Sequence, residues 1–280
     1  MQTEAAIQEE HPEVIDEQIS DVEHGAVPSH SSSAEVPARW IDLIPLEQWE
    51  VYRRAIAAVR SLDIPFLLGG GFSLATYIGR WRNTKDIDFY ILPQHRDTTV
   101  EALNKAGFRD YYPEAPYDRG WIYRSTGSGV IVDIIWSMAN RRAQVDESWF
   151  HQAPSCRVRE EEFQVLPAEV LCWCKLYVFQ RDHCDWTDVI NLLTAVGPTL
   201  DWKRLLNHLG PDLALLKSMV TLLDWLAPNR TGDLPKAVRK KLGLPCPEPI
   251  SDEEHLRRVR LLDTRAWFAA LLPEDLRLQV

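Results

Sequence analysis

The sequence predicts an α+β chain in which a strand-bearing part precedes an all-helical one, and three observations carry that reading. Strand signals are confined to residues 64–166. From Pro167 onward every periodic segment has helical spacing. Strands first and helices afterwards is the order of an α+β fold, not of alternating βαβ units. The expected boundaries are 38–166 for the first part and 167–280 for the helical one.

Residues 1–37 are set apart from both. They hold nine of the 41 acidic residues, no Lys or Arg, no aromatic residue and the run PSHSSSAEVP. Such a segment buries too little apolar area to offset the entropy of ordering, so a disordered acidic tail is expected. The other 32 acids face 31 bases, which makes the body nearly neutral despite a formal charge of −10. That balance does not exclude a phosphate-bearing partner. The tail lacks the basic start and apolar stretch of a secretory signal. No later run approaches the roughly 18 uncharged apolar residues that span a bilayer, so no membrane association is expected. Five cysteines, an odd number, fit a reducing compartment, with the cytoplasm as the expected location.

In chain order, LEQWEVYRRAIAAVRSL (46–62) spaces Trp49, Tyr52, Ile56 and Val59 as one helical face. IPFLL (64–68) reads as a short buried strand, Gly69, Gly70 and Gly71 as a turn, and 72–79 as a short helix. DIDFYIL (86–92) is a strand and RDTTVEALNKAGF (96–108) a helix ending at Gly107. WIYRS and VIVDIIW flank TGSG as a β-hairpin over 120–136, and CRVREEEFQVL (156–166) reads as one further strand. Pro167 opens a helix, and DWTDVINLL, DWKRLLNHL and DLALLKSMVTLLDWL follow as helices. The last, SDEEHLRRVRLLDTRAWFAALL, starts with a Ser251/Glu254 capping box. The run CWCKLYVFQRDHC brings Cys172, Cys174, His183 and Cys184 near one another without any C-x-x-C. Small buried side chains are expected there instead of a zinc site.

The chemistry concentrates in LLGGGFSLATYIGRWRNTKDIDFYIL, residues 67–92. On a strand, residues two apart share a face, so Asp86 and Asp88 stand side by side, about 5–7 Å apart, opposite the apolar face of Ile87, Phe89 and Ile91. Nothing in the strand relieves their repulsion, whereas a divalent cation would. Paired carboxylates are what Mg2+ takes when it also holds substrate phosphates. Asp133 is the only charge in VIVDIIW and needs a strong partner there; beside strand 86–92 it would make a third ligand, enough for two metals. The glycine turn supplies the opposite half, since free amides at a helix start favour a phosphate. The turn is neither a Walker A loop, for no Lys–Ser/Thr follows, nor a Rossmann fingerprint, for Leu74 stands where glycine or alanine is needed.

These elements resemble the nucleotidyltransferase superfamily of the DNA polymerase β-like fold, whose signature is hG[GS], then [DE]h[DE]h, then a later h[DE]h. The matching residues are Leu68-Gly69-Gly70 (or Gly70-Gly71), Asp86-Ile87-Asp88-Phe89 and Val132-Asp133-Ile134. The local wording is most similar to AbiEii-type bacterial nucleotidyltransferases. Arg82 and Thr84 fall on their GG…R-x-T-x-D-h-D arrangement, and Lys175, Arg181, Asp185 and Asp188 on the K…R…D-h-x-D-h segment that follows. The resemblance covers about residues 60–195. The chain departs from it by a third glycine and by placing Ser73 later than the usual serine.

The resemblance implies a small mixed β-sheet nucleotidyltransferase domain flanked by helices and followed by an α-helical domain. It implies two Mg2+ ions on Asp86, Asp88 and Asp133, with Asp133 activating the acceptor, and an NTP such as ATP as substrate. Phosphate contacts are expected from Gly69, Gly70, Gly71, Ser73, Arg82, Thr84, Lys175 and Arg181, with Asp185 and Asp188 behind them. The expected reaction moves an NMP from the NTP to a hydroxyl of an RNA end or a protein, toxin-like, with an antitoxin protein as partner. A small-molecule acceptor, as in aminoglycoside nucleotidyltransferases, and a catalytically silent nucleotide-binding or interaction module stay open as alternatives. Singly, each residue also admits a structural role. Lys175 can pair with a protein carboxylate, and Asp185 and Asp188 can cap the helix they begin.

Overall fold

The computed structural model describes residues 39–180, 183–231, 234–262 and 267–279; the tail expected over 1–37 lies outside them. Helix α1 (Leu46–Arg60) buries Trp49, Tyr52, Ile56 and Val59, the face set by their spacing. Strand β1 (Phe66–Leu68) leads through Gly69 into α2 (Gly70–Ile78). The helix thus begins inside the glycine run, two residues earlier than the pattern suggests. Next come β2 (Asp86–Ile91), α3 (Arg96–Lys105), β3 (Arg109–Asp110), β4 (Ile122–Gly127) and β5 (Val130–Ile135).

These five strands form one mixed sheet in the order β1-β2-β5-β4-β3, with β2 and β5 parallel and the other neighbours antiparallel. The α+β class expected from the sequence is what the chain adopts. Ile87, Phe89 and Ile91 on β2 and Val132 and Ile134 on β5 are fully buried, in one cluster with residues of α1 and α3. Each such side chain contributes on the order of 1.5–3 kcal/mol. The alternation of β2 leaves Asp86, Asp88 and Tyr90 on the opposite face, where α2 packs against the strand.

Residues 156–166 are not one strand. Arg159 takes a φ of 55° and folds the segment into a hairpin of β6 (Ser155–Val158) and β7 (Glu161–Gln164). The helical part follows as α4 (Ala168–Leu176), α5 (Trp186–Val196), α6 (Trp202–Leu209), α7 (Leu213–Leu226), α8 (Pro228–Thr231), α9 (Lys236–Leu242) and α10 (Asp252–Leu262). Ser251 Oγ accepts from the Glu254 amide at 3.2 Å, one half of the expected capping box. The Glu254 carboxylate turns instead to Arg257 and Arg258, 2.6 Å from each. Of the long final helix, the described residues show α10 over Asp252–Leu262 and a short helical turn over 269–271.

Apolar packing runs without a break across residue 166. Leu67 and Leu74 share one buried cluster with Leu166, Val170, Leu171, Trp173 and Leu193. Among the described residues no helix is long and apolar enough to cross a membrane.

Candidate active site

Strand pairing brings the three predicted aspartates to one place. In the parallel β2–β5 pair Asp88 lies opposite Asp133, so both side chains leave the sheet on the same side as Asp86. Asp88 is partly buried, and its carboxyl is pushed well above the usual carboxylate range, first by burial and then by Asp86 and Asp133. Lys175 and Arg124 pull it back down, but less strongly. Neither Asp86 nor Asp88 forms an ion pair among the described residues.

The glycine turn closes on this pair. The Gly69 amide donates to the Asp88 carbonyl at 2.9 Å, so the turn extends the β1–β2 ladder. Gly70 has a φ of 48°, and a Cβ built on it would lie 1.7 Å from Asp88 Oδ2. A Cβ on Gly69 would strike the Tyr90 ring at 2.2 Å, and one on Gly71 would meet the Thr84 methyl at 2.9 Å. The amides of the first turn of α2 have no acceptor within the helix, and Gly70 at its start abuts Asp88. Gly70→Ala is expected to cost at least the roughly 1–2 kcal/mol of a left-handed alanine, read from urea unfolding, and to remove most transfer activity by displacing Asp88.

One loop, residues 79–85 between α2 and β2, borders the carboxylates. The Thr84 carbonyl accepts from Tyr52 Oη at 2.8 Å and from Gln48 Nε2, both on α1, which fixes the chain just before β2. Arg82, half exposed, places Nη2 3.5 Å from Asp188 Oδ2, with its guanidinium 5.8 Å from the centre of the Trp267 ring.

Several expected ligands have other partners. Ser73 is fully buried, and its hydroxyl donates to the Leu166 carbonyl at 3.1 Å, so it ties α2 to the segment before α4 instead of facing a phosphate. Lys175 is also buried, with Nζ 2.9 Å from Asp185 Oδ2 and 2.8 Å from Asp188 Oδ2. Burial works to lower its pKa, but the two carboxylates more than reverse that and leave it raised. Lys175 therefore takes the structural role open to it, pairing with protein carboxylates. Asp185 is the N-cap residue of α5, yet its side chain makes no capping bond. Arg181 lies outside the described residues.

Asp133 differs most from expectation. It is 2 % exposed, and both its oxygens are taken by Arg124, Nε to Oδ1 at 2.8 Å and Nη2 to Oδ2 at 2.6 Å. The carboxylate holds the Arg124 guanidinium cationic, raising its pKa. Arg124 sits directly opposite Asp133 in the β4–β5 hairpin. A signal for it lay in the sequence, because a two-residue turn at Ser128–Gly129 sets that register. No three His, Cys, Asp or Glu side chains among the described residues are grouped to hold a metal. Asp86 and Asp88 alone supply hard oxygens that suit a divalent cation.

A family model described as uncharacterised nucleotidyltransferase matches residues 46–228, about two thirds of the 280 residues. The chain belongs to this nucleotidyltransferase family. Membership implies an NTP substrate. No curated protein matches this nucleotidyltransferase. Among solved structures it is similar to the antibiotic-resistance factor ANT(2'')-Ia, at 16% identity over 61% of this chain and 96% of that one, with a TM-score of 0.43. It is similar also to the lincosamide antibiotic adenylyltransferase LnuA, at 14% identity over 53% and 96% of the two chains, TM-score 0.39. A third likeness is to JHP933 from Helicobacter pylori, at 16% identity over 78% and 93%, TM-score 0.37.

Proposed function

We propose that this nucleotidyltransferase moves an NMP from an NTP to an acceptor hydroxyl at the pocket between the glycine turn and β2. One observation carries the reading. Amides that favour an anion and carboxylates that require a cation meet where Gly70 abuts Asp88, 1.7 Å from the place its missing Cβ would occupy. A metal-bound triphosphate answers both demands at once.

In this reading Asp86 and Asp88 hold Mg2+, which neutralises charge on the phosphates and on the leaving pyrophosphate. The turn amides at Gly70 and Gly71 receive the phosphate oxygens. Arg82, half exposed on the loop before β2, extends that cradle, while Thr84, pinned by Tyr52 and Gln48, keeps the loop at a fixed height. The acceptor oxygen bonds to the α-phosphorus as the bond to pyrophosphate breaks, and the hydroxyl proton passes to solvent. Positioning and charge neutralisation supply most of the rate.

The first part, 38–166, then carries the chemistry, and the helical part, 167–280, selects the acceptor. For that acceptor we propose an RNA end, in line with the AbiEii-type resemblance, in the cytoplasm and under restraint by an antitoxin protein. Lys236, Lys240 and Lys241 are exposed on α9 and offer cations to a phosphate backbone, while Arg239 between them is buried against Asp224 at 2.7 Å. The test is incubation with each of four α-labelled NTPs and total RNA, and separately with a panel of small alcohols including aminoglycosides. Label on RNA is expected; label only on a small alcohol overturns the acceptor, and none with any NTP overturns the reaction.

A further inference from the structure

The Arg124–Asp133 pair limits how many metal ions the pocket can hold. A two-metal centre needs carboxylate oxygens for both ions, about 3.5–4 Å apart. On this sheet Asp88, Asp133 and Arg124 form one row across three strands, each opposite the next in register. The two hydrogen bonds from Arg124 use both Asp133 oxygens, and the pair is set by backbone pairing instead of by a surface rotamer. Asp133 is 2 % exposed and Arg124 34 %. A second divalent ion on Asp133 would have to displace a bidentate guanidinium and then sit beside its charge, which an arginine does not lose by deprotonation.

We propose that the pocket works with one divalent ion, on Asp86 and Asp88, and that Arg124 is the fixed cation where a second metal would otherwise stand. Asp133 is then a positioning residue. It holds the guanidinium in plane, with the remaining N–H groups of a one-third-exposed head free to meet an anionic oxygen of the acceptor or the α-phosphate. This rests on the transfer reading above and specifies its metal stoichiometry and the partner of Asp133.

The experiment counts Mn2+ retained per bound nucleotide, by equilibrium dialysis of the whole chain with an α,β-methylene NTP analogue, with the electron paramagnetic resonance spectrum as a second readout. One Mn2+ per nucleotide, without the exchange coupling of two ions a few ångströms apart, is expected for the unmodified chain. Asp133→Asn should keep that count at one, whereas in a two-ion centre it would fall from two. Arg124→Gln retains a hydrogen-bond donor to Asp133 but frees it of charge, and should raise the count to two. Two coupled ions on the unmodified chain overturn the inference and leave the transfer reading standing. A count that stays at one in Arg124→Gln overturns the blocking role of Arg124. Retention of neither Mn2+ nor nucleotide overturns the transfer reading itself. The count on the unmodified chain decides even if Arg124→Gln fails to fold.

Discussion

Asp88→Asn lowers nucleotidyl transfer by at least about a thousandfold, the equivalent of roughly 4 kcal/mol in the barrier, and leaves the fold as stable as before or more so. Both halves of that outcome come from the same geometry. In the free protein the Asp88 carboxylate is partly buried, has Asp86 and Asp133 beside it, and has no ion-pair partner among the described residues. An amide of the same shape removes that repulsion, so the urea midpoint should hold or rise. The cation that relieves the repulsion in the working site is lost with the charge, so turnover with labelled NTP should fall. Asp86→Asn should lose activity to a similar degree. Activity that persists in both variants, with a normal circular dichroism spectrum, would remove the metal site from the mechanism. Stability given up for function at a site of this kind is a general pattern.

Lys175→Met has the opposite profile, with its largest effect on stability. The methionine nearly matches the lysine stem in volume but leaves Asp185 and Asp188 buried with their common cation gone. The two lie 2.9 and 2.8 Å from Nζ, and Asp188 is wholly buried. Breaking a buried pair from one side costs about 3–5 kcal/mol, because the surviving charge stays desolvated. In a chain of this size that corresponds to a melting temperature lower by roughly 6–20 °C. The triple variant with Asp185→Asn and Asp188→Asn should recover much of the loss. The pH dependence follows from the raised pKa of Lys175. Its contribution is present below the unfolded value near 10.5 and is lost as the pH rises through the higher folded one, so the deficit of the variant should shrink in strong alkali. A melting temperature within a degree or two of the unmodified chain at neutral pH would show that the cluster holds nothing together.

The strand alternation of DIDFYIL placed Asp86 and Asp88 on one face, and the lone charge in VIVDIIW called for a strong partner at Asp133, since period-2 geometry and the need to pair a buried charge are local rules. The β4–β5 hairpin was legible for the same reason, through TGSG. The partner of Asp133 was missed, because it follows from the register that TGSG sets and not from the apolar strand itself. That partner is Arg124, nine positions earlier in the chain and outside the apolar strand that drew attention to Asp133. Ser73 was misplaced because only the packing of α2 against residue 166 reveals an acceptor for its hydroxyl. The break at Arg159 was invisible, for CRVREEEFQVL carries no glycine, proline or asparagine to mark a reversal. Lys175, Asp185 and Asp188 were recognised as a group, yet whether they answer a ligand or one another is decided by burial, which sequence spacing does not disclose.

The connection at Ser128–Gly129, with φ of 53° and 77°, stands at the tip of a hairpin and touches none of the chemistry. Its length is nonetheless a ruler for the pocket. Adding one amino acid there would slide one strand by a single step against the other, and Arg124 would emerge on the far side of the sheet, among the isoleucines. The acid it left behind would stand bare beside its neighbours. An exposed bend of two residues, the kind of place where chains usually accept insertions freely, is here among the least forgiving for length.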